Sequence, residues 1–360
     1  MSHHPYRDIA DAQRWSRAMA GRTHAEIDPV QKPPFLIEPD SRIVTAGSCF
    51  AQHVARHLRE RGHACFETEP AHPLLPAAVA DAFNYGVYSA RYGNIYTARQ
   101  LLQLWRRATG AFVPVDDRWD RDGACFDPFR PLIQPGGFSS VREYVEDRRQ
   151  HFAAVRRAFV EMDVFVFTLG LTECWVSRED GAVYPLCPGV AAGRYDAERH
   201  AFVNFTVDEV VADLGAFVAA VREVNPHMKM ILTVSPVPLA ATAGPHHVLT
   251  ANTYSKAVLR VAAEQLSRLP DVHYFPAYEI VAAAGNDYFA ADRRSLLESG
   301  VAQVMALFFR HVLGANDVTP PPAVDDDFVR RNQDIVDALC DEQRLDPPDG
   351  GHRAHRGTPS

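Results

Sequence analysis

Arg42-Ile43-Val44-Thr45-Ala46-Gly47-Ser48-Cys49-Phe50 is the stretch that decides how this chain folds. Its apolar run suits a buried strand, Gly47-Ser48 suits a tight turn, and Phe50, Val54 and Leu58 then recur at helical spacing. The reading is strand, turn, helix. The same succession returns further along the chain. A helical pattern with Phe152, Val155 and Phe159 on one face leads into the apolar run 163–169, which stops at Gly170. A second, with Val210, Leu214, Phe217 and Val221, leads into 228–234, which stops at Ser235-Pro236. A shorter run, 272–275, follows a helix expected over roughly 252–268 and precedes one over about 299–311. Strands that alternate with helices and are apolar on both faces specify an α/β fold, a mostly parallel sheet covered by helices on each side.

The 360 residues divide, on this reading, into an N-terminal extension (1–40), one α/β domain (41–315) and a polar tail (316–360). The tail is dense in Pro, Gly, His and Arg from Asp346 onward and is expected to be partly disordered. Between the first two strands, about 70–137 is rich in Pro, Gly and aromatics and too long for a simple crossover; it reads as an insertion forming one wall of a site. The net charge of -8 gives no footprint for nucleic acid. Neither a signal-peptide core nor a membrane-spanning run is legible, so a cytoplasmic protein is expected. The six cysteines are scattered, without CxxC spacing, and read as free thiols rather than as a zinc site or a disulfide framework. No Walker or dinucleotide glycine loop is present, and neither cofactor nor metal is expected. The oligomeric state is not legible.

Ligands bind outside the carboxyl ends of the strands in an open parallel sheet. Three loops should therefore converge: Gly47-Ser48, Gly170-Leu171-Thr172-Glu173 and Ser235-Pro236. Ser48 stands where a nucleophile is held, with the first amides of the next helix, Cys49 foremost, able to stabilise an oxyanion. The plainer alternative is that Ser48 only caps that helix. Cys49 itself is open to a nucleophile's role, since a helix N-terminus lowers a thiol pKa, or to that of a small buried hydrophobe.

Gly47-Ser48-Cys49-Phe50-Ala51 resembles the signature of the GSCFA family. Similar segments follow in order: Asn94-Ile95-Tyr96-Thr97, Thr168 to Trp175, Thr233 to Val237, Tyr254-Ser255-Lys256, and Tyr274-Phe275-Pro276 with Tyr278-Glu279. The family looks like a branch of the SGNH/GDSL hydrolases, which implies a flavodoxin-like three-layer α/β/α sheet and a serine nucleophile, Ser48. It further implies oxyanion donors at the positions of Thr172, where the superfamily has Asn, and of Gly86.

One departure is pronounced. The superfamily places Asp and His three residues apart on a late loop; here Asp292 is followed by Ser295. The base must then come from elsewhere, and His247, in the loop after the third strand, is the first candidate, with Asp292 as its orienter. His247 is equally readable as a solvated loop residue. His200, His53 and His57 rank lower, the last two as partly exposed structural residues of the first helix. Glu173 is either a tuned carboxylate or a partner of an Arg such as Arg260. Lys256 reads as a binder of an anionic substrate or as an ordinary exposed lysine. Trp175, with Tyr184, Trp105 and Trp119, reads as a substrate-stacking wall or as core. The expected activity is hydrolysis or transfer of an O-acyl ester, such as one on a carbohydrate, through acyl-Ser48. The alternative is a carbohydrate- or acyl-binding relative that has lost its base.

Overall fold

The computed structural model describes residues 4–63 and 65–314. The expected tail, 316–360, lies outside the described residues. Four parallel strands form the central sheet in the order β1 (Ile43–Gly47), β4 (Val164–Leu169), β8 (Lys229–Val234) and β9 (Val272–Tyr274). Beyond the free edge of β1, Cys65 bridges Ile43 in parallel and the Phe66 amide bonds the Ile43 carbonyl at 2.8 Å. With that segment as second strand the order is 2-1-3-4-5, compatible with a flavodoxin-like sheet.

Alternation along the strands sorts side chains into two layers. Phe165, Phe167, Leu169, Met230 and Leu232 face one core, and Val164, Val166 and Ile231 face the other. The first core is covered by α4 (Ala98–Ala108), α5 (Val141–Glu161), α6 (Val207–Arg222) and α7 (Val248–Leu266). The second is covered by α2 (Cys49–Glu60), α8 (Ala277–Ala282) and α9 (Glu298–Val312). Two short helices, α1 (Trp15–Ala18) and α3 (Ala77–Ala82), bury none of their residues. The expected strands and helices are all present, and the layers are those of an α/β/α sandwich.

The stretch about 70–137 is more than an appended wall. Its helix α4 contributes Leu101, Leu102, Leu104 and Trp105 to the main core. Trp105 meets Phe159 edge-on at 5.9 Å, and Phe159 in turn meets Phe165 and Phe217. Trp105 is thus core rather than site wall. The remainder of the stretch is held by buried charge. Arg130 pairs with Asp127 at 2.7 Å and with Asp147 on α5 at 2.6 Å, and Arg91 reaches Asp147 at 3.0 Å. Trp119 starts a small hairpin, β2 (Trp119–Arg121) with β3 (Ala124–Phe126), and packs on Tyr184 in a separate aromatic cluster.

A second sheet was not legible in sequence. β5 (Glu173–Ser177) pairs antiparallel with β6 (Val183–Tyr184) and with β7 (His200–Asn204). Its inner residues Cys174, Val176, Val183 and Val203 join the main core. Phe159, fully buried among three aromatic partners, should be among the costliest core positions: Phe159→Ala is expected to lower stability by about 3–5 kcal/mol. Urea unfolding followed by circular dichroism measures it, and a loss under about 1 kcal/mol would contradict this packing.

Candidate active site

β1 ends at Gly47 with φ +143°, and a Cβ built there would lie 2.4 Å from the Thr168 carbonyl oxygen of β4. Only glycine lets the two strands close at this point. The chain then enters α2 through Ser48, 4% exposed, in the N-cap position (φ -71°, ψ -178°). The hydroxyl does not act as a cap: it accepts no bond from the helix amides, and Oγ is buried without a hydrogen-bond partner among the described residues. A buried hydroxyl with no partner is a costly arrangement, which the capping role alone leaves unexplained. Cys49 beside it is a buried thiol at the first residue of α2.

The β4–β5 loop closes over the serine. A Cβ on Gly170 would come within 3.0 Å of Ser48 Cβ, so this glycine packs directly on the serine side chain. Each amide of the loop is engaged. Gly170 and Leu171 both donate to the Tyr96 carbonyl, at 3.2 and 3.0 Å, and the Thr172 amide donates to Ser255 Oγ at 3.1 Å. The Thr172 hydroxyl donates to Asn204 Oδ1 at 2.6 Å. The expectation that Thr172 supplies an oxyanion donor therefore meets a committed proton; the side-chain amide at this place belongs to Asn204, a residue not singled out in sequence because it lies on another strand. Gly86 stands at φ +72° with open space where a Cβ would be, its backbone close to the Glu67 carboxylate. Asn94 and Tyr88 do reach α2 from this region: Gln52 Nε2 donates to Asn94 Oδ1 at 3.1 Å and to the Tyr88 hydroxyl at 3.0 Å, and that hydroxyl donates to Asn94 Oδ1 at 3.3 Å. The next residue, Ile95, donates its amide to the Gly47 carbonyl at 2.8 Å.

Three further expectations are corrected. Lys256, read as an anion binder or as an ordinary exposed lysine, is 1% exposed, and its Nζ donates to the Gly170 carbonyl at 3.0 Å. Glu173 is not the partner of Arg260. Its Oε1 accepts from the Thr242 hydroxyl at 2.8 Å, while Arg260 pairs with Glu279 at 2.7 Å and Glu264 at 2.9 Å. His53 and His57 are buried, not partly exposed. His57 lies 3.3 Å from Glu298 and 3.2 Å from Glu60, and Arg56 binds Glu298 at 3.1 Å.

Asp292 and His247 are not brought together. The Asp292 carboxylate is closed on its own turn, accepting the Ser295 hydroxyl at 2.6 Å and the amides of Arg294 and Ser295. Ser295 thus occupies in space, as in sequence, the place three residues on. His247 is the exposed N-cap of α7, and its Nδ1 accepts the Leu249 amide at 3.1 Å. His200 is buried in β7 and its Nδ1 accepts the Asp196 amide. Trp175 is half-buried on β5, edge-on to Tyr195 at 5.3 Å and to Phe202 at 5.8 Å; Tyr184 is fully buried. Among the described residues no group of three or more His, Cys, Asp or Glu side chains is placed to hold a metal ion.

The sequence model of the GSCFA family matches residues 42–308, from the first residues of β1 almost to the end of α9. The chain belongs to the GSCFA family. The Gly-Ser turn of this GSCFA protein, and every loop just described, lie within the matched span. A search of curated proteins finds no match. No helix among the described residues is long and apolar enough to cross a membrane.

Two measurements check the geometry. Gly47→Ala must push β1 from β4 and should destabilise by about 2 kcal/mol or more. Gly86→Ala, at φ +72° in open space, should cost only about 1 kcal/mol, and equal losses would contradict the close approach. For His53, burial and then the Arg56 charge push the pKa down to about 3. The unfolded chain therefore binds a proton near pH 6.5 that the native state refuses until about pH 3. Stability should fall with acidification across that window, by up to about 1.4 kcal/mol per pH unit from this residue. His53→Gln should flatten the profile there; an unchanged slope would place the proton uptake elsewhere.

Proposed function

We propose that this GSCFA protein acts on O-acyl esters as an SGNH-type serine enzyme, by hydrolysis or by transfer to a hydroxyl acceptor. The observation that carries the reading is Ser48 Oγ, buried and unbonded at a strand-to-helix turn, on a hydroxyl that does not cap its helix. In this scheme Oγ attacks the acyl carbonyl carbon and gives its proton to a base as the new C–O bond forms. The tetrahedral oxyanion lies at the N-terminus of α2, where the Cys49 amide and the helix dipole favour negative charge. Collapse expels the alcohol, which takes the proton back, and leaves acyl-Ser48. Water or a second hydroxyl then attacks the acyl carbon and restores the serine.

His247 is the base of this scheme. It heads α7, the helix whose Ser255 and Lys256 grip the loop beside Ser48. To accept the serine proton its ring must leave the Leu249 amide and turn towards the sheet edge, a movement suited to an exposed loop terminus. Asp292 has no part in orienting it, since its carboxylate is held by Ser295. The half-buried Trp175, with Tyr195 and Phe202, is assigned to an acceptor such as a sugar ring: β5 leads from the Gly170–Thr172 loop directly to this aromatic face.

A second reading is favoured by one specific observation, that among the described residues no imidazole is hydrogen-bonded to Ser48. On that reading the protein binds a carbohydrate or acyl ligand without turning it over. Intact-mass labelling with a fluorophosphonate separates the two. Wild type is expected to gain one adduct, Ser48→Ala none, and His247→Ala to label at least about 100-fold more slowly. A wild type that stays unlabelled while remaining folded favours the binding protein.

A further inference from the structure

α7 grips the loop beside the serine with two consecutive residues. Ser255 Oγ, fully buried, accepts the Thr172 amide, and Lys256 Nζ donates to the Gly170 carbonyl. Between them they hold both ends of the segment whose glycine packs on Ser48 Cβ. A serine or a glutamine reaches a carbonyl or an amide without the cost of burying an ammonium, which is several kcal/mol for an ion removed from water. Lysine instead brings a group able to carry positive charge against the carbonyl of the glycine that packs on Ser48. Covalent geometry bounds its reach: from Nζ through the Gly170 carbonyl and Cα to Ser48 Oγ is at most about 11 Å, all of it through buried protein.

We propose that Lys256 is a positioning residue of the Ser48 site, holding Gly170 against the serine through its carbonyl and supplying buried positive charge that favours the ionised form of the group at position 48. Its catalytic consequence rests on the reading of Ser48 as nucleophile; the electrostatic effect itself does not. Other titratable groups stand on the elements that meet here: Glu173 at the head of β5, Tyr96 before α4, Cys49 beside the serine, and His53 one turn along α2 with Arg56 and Glu298 behind it. His53 is held neutral by burial and adds no charge. Glu173, three residues after Gly170, carries the opposite charge, and its Oε1 also accepts the Thr242 hydroxyl.

The effect is measurable without any catalysis. In the full chain carrying Ser48→Cys and Cys49→Ala, the new thiol reports the local field, and its titration is followed through the 13Cβ shift of labelled cysteine. Combining Lys256→Gln with it keeps a donor for the Gly170 carbonyl but removes the charge, and should raise the thiol pKa by about one pH unit. Lys256→Arg, which keeps the charge, should leave the value lower than Lys256→Gln does. Ser255→Ala, which loosens the same loop without changing charge, should move it by only a few tenths of a unit.

A thiol pKa left unchanged by Lys256→Gln would overturn the proposal, as would an equal rise on Ser255→Ala, which would assign the effect to loop geometry alone. The fluorophosphonate experiment reports separately on the nucleophile. A charge-dependent thiol pKa in a protein that never labels would keep the role of Lys256 and discard only acyl-Ser48.

Discussion

The contact between Gly47 and Thr168 is the constraint on which the rest of the site depends. Without a Cβ, β1 approaches β4 until glycine and threonine backbones are nearly touching, and the chain leaves the strand at a φ that other residues avoid. That exit places Ser48 at the head of α2 with its hydroxyl under the β4–β5 loop. The second glycine, Gly170, completes the approach from the other side. Two close backbone contacts therefore enclose one hydroxyl, and enclosure rather than a hydrogen bond is what sets Ser48 apart from an ordinary capping serine.

The surroundings of this contact are rigid where it matters. Tyr96 offers one carbonyl to two successive loop amides, Ser255 takes the third, and Lys256 holds the carbonyl between strand and loop. On the far side α2 is fastened to α9 by Arg56 and His57 on Glu298. By contrast, the segments that carry Asp292 and His247 are exposed and close on their own backbone amides. The loop that covers Ser48 is thus fixed by bonds to three other elements, whereas the segments of Asp292 and His247 are held only by their own turns.

The central strands and their covering helices were legible because periodicity reports burial directly. Runs such as 163–169 and 228–234 are apolar on both faces, and the helices between them repeat at helical spacing. The sheet β5–β7 was not legible, since its strands carry Glu173, Ser177, His200 and Asn204 among the apolar residues and read as loop. The role of 98–108 within the main core was hidden for a different reason: the length and composition around it suggested an insertion, while its leucines and Trp105 decide otherwise only once α5 and α6 lie against them.

At the site, the chain by itself determined the positions that local chemistry singles out: the glycine–serine turn after a buried strand, the Gly170 loop, the absence of a His three residues after Asp292, and the family to which these motifs belong. Tertiary structure alone decided what each polar group does there. Lys256 is buried because α7 crosses behind the β4–β5 loop, Thr172 gives its proton to Asn204 because β7 pairs with β5, and Glu173 meets Thr242 rather than Arg260. The physical reason is common to all three. A polar side chain's environment is set by elements remote in sequence, so its charge, exposure and partner emerge only when those elements pack.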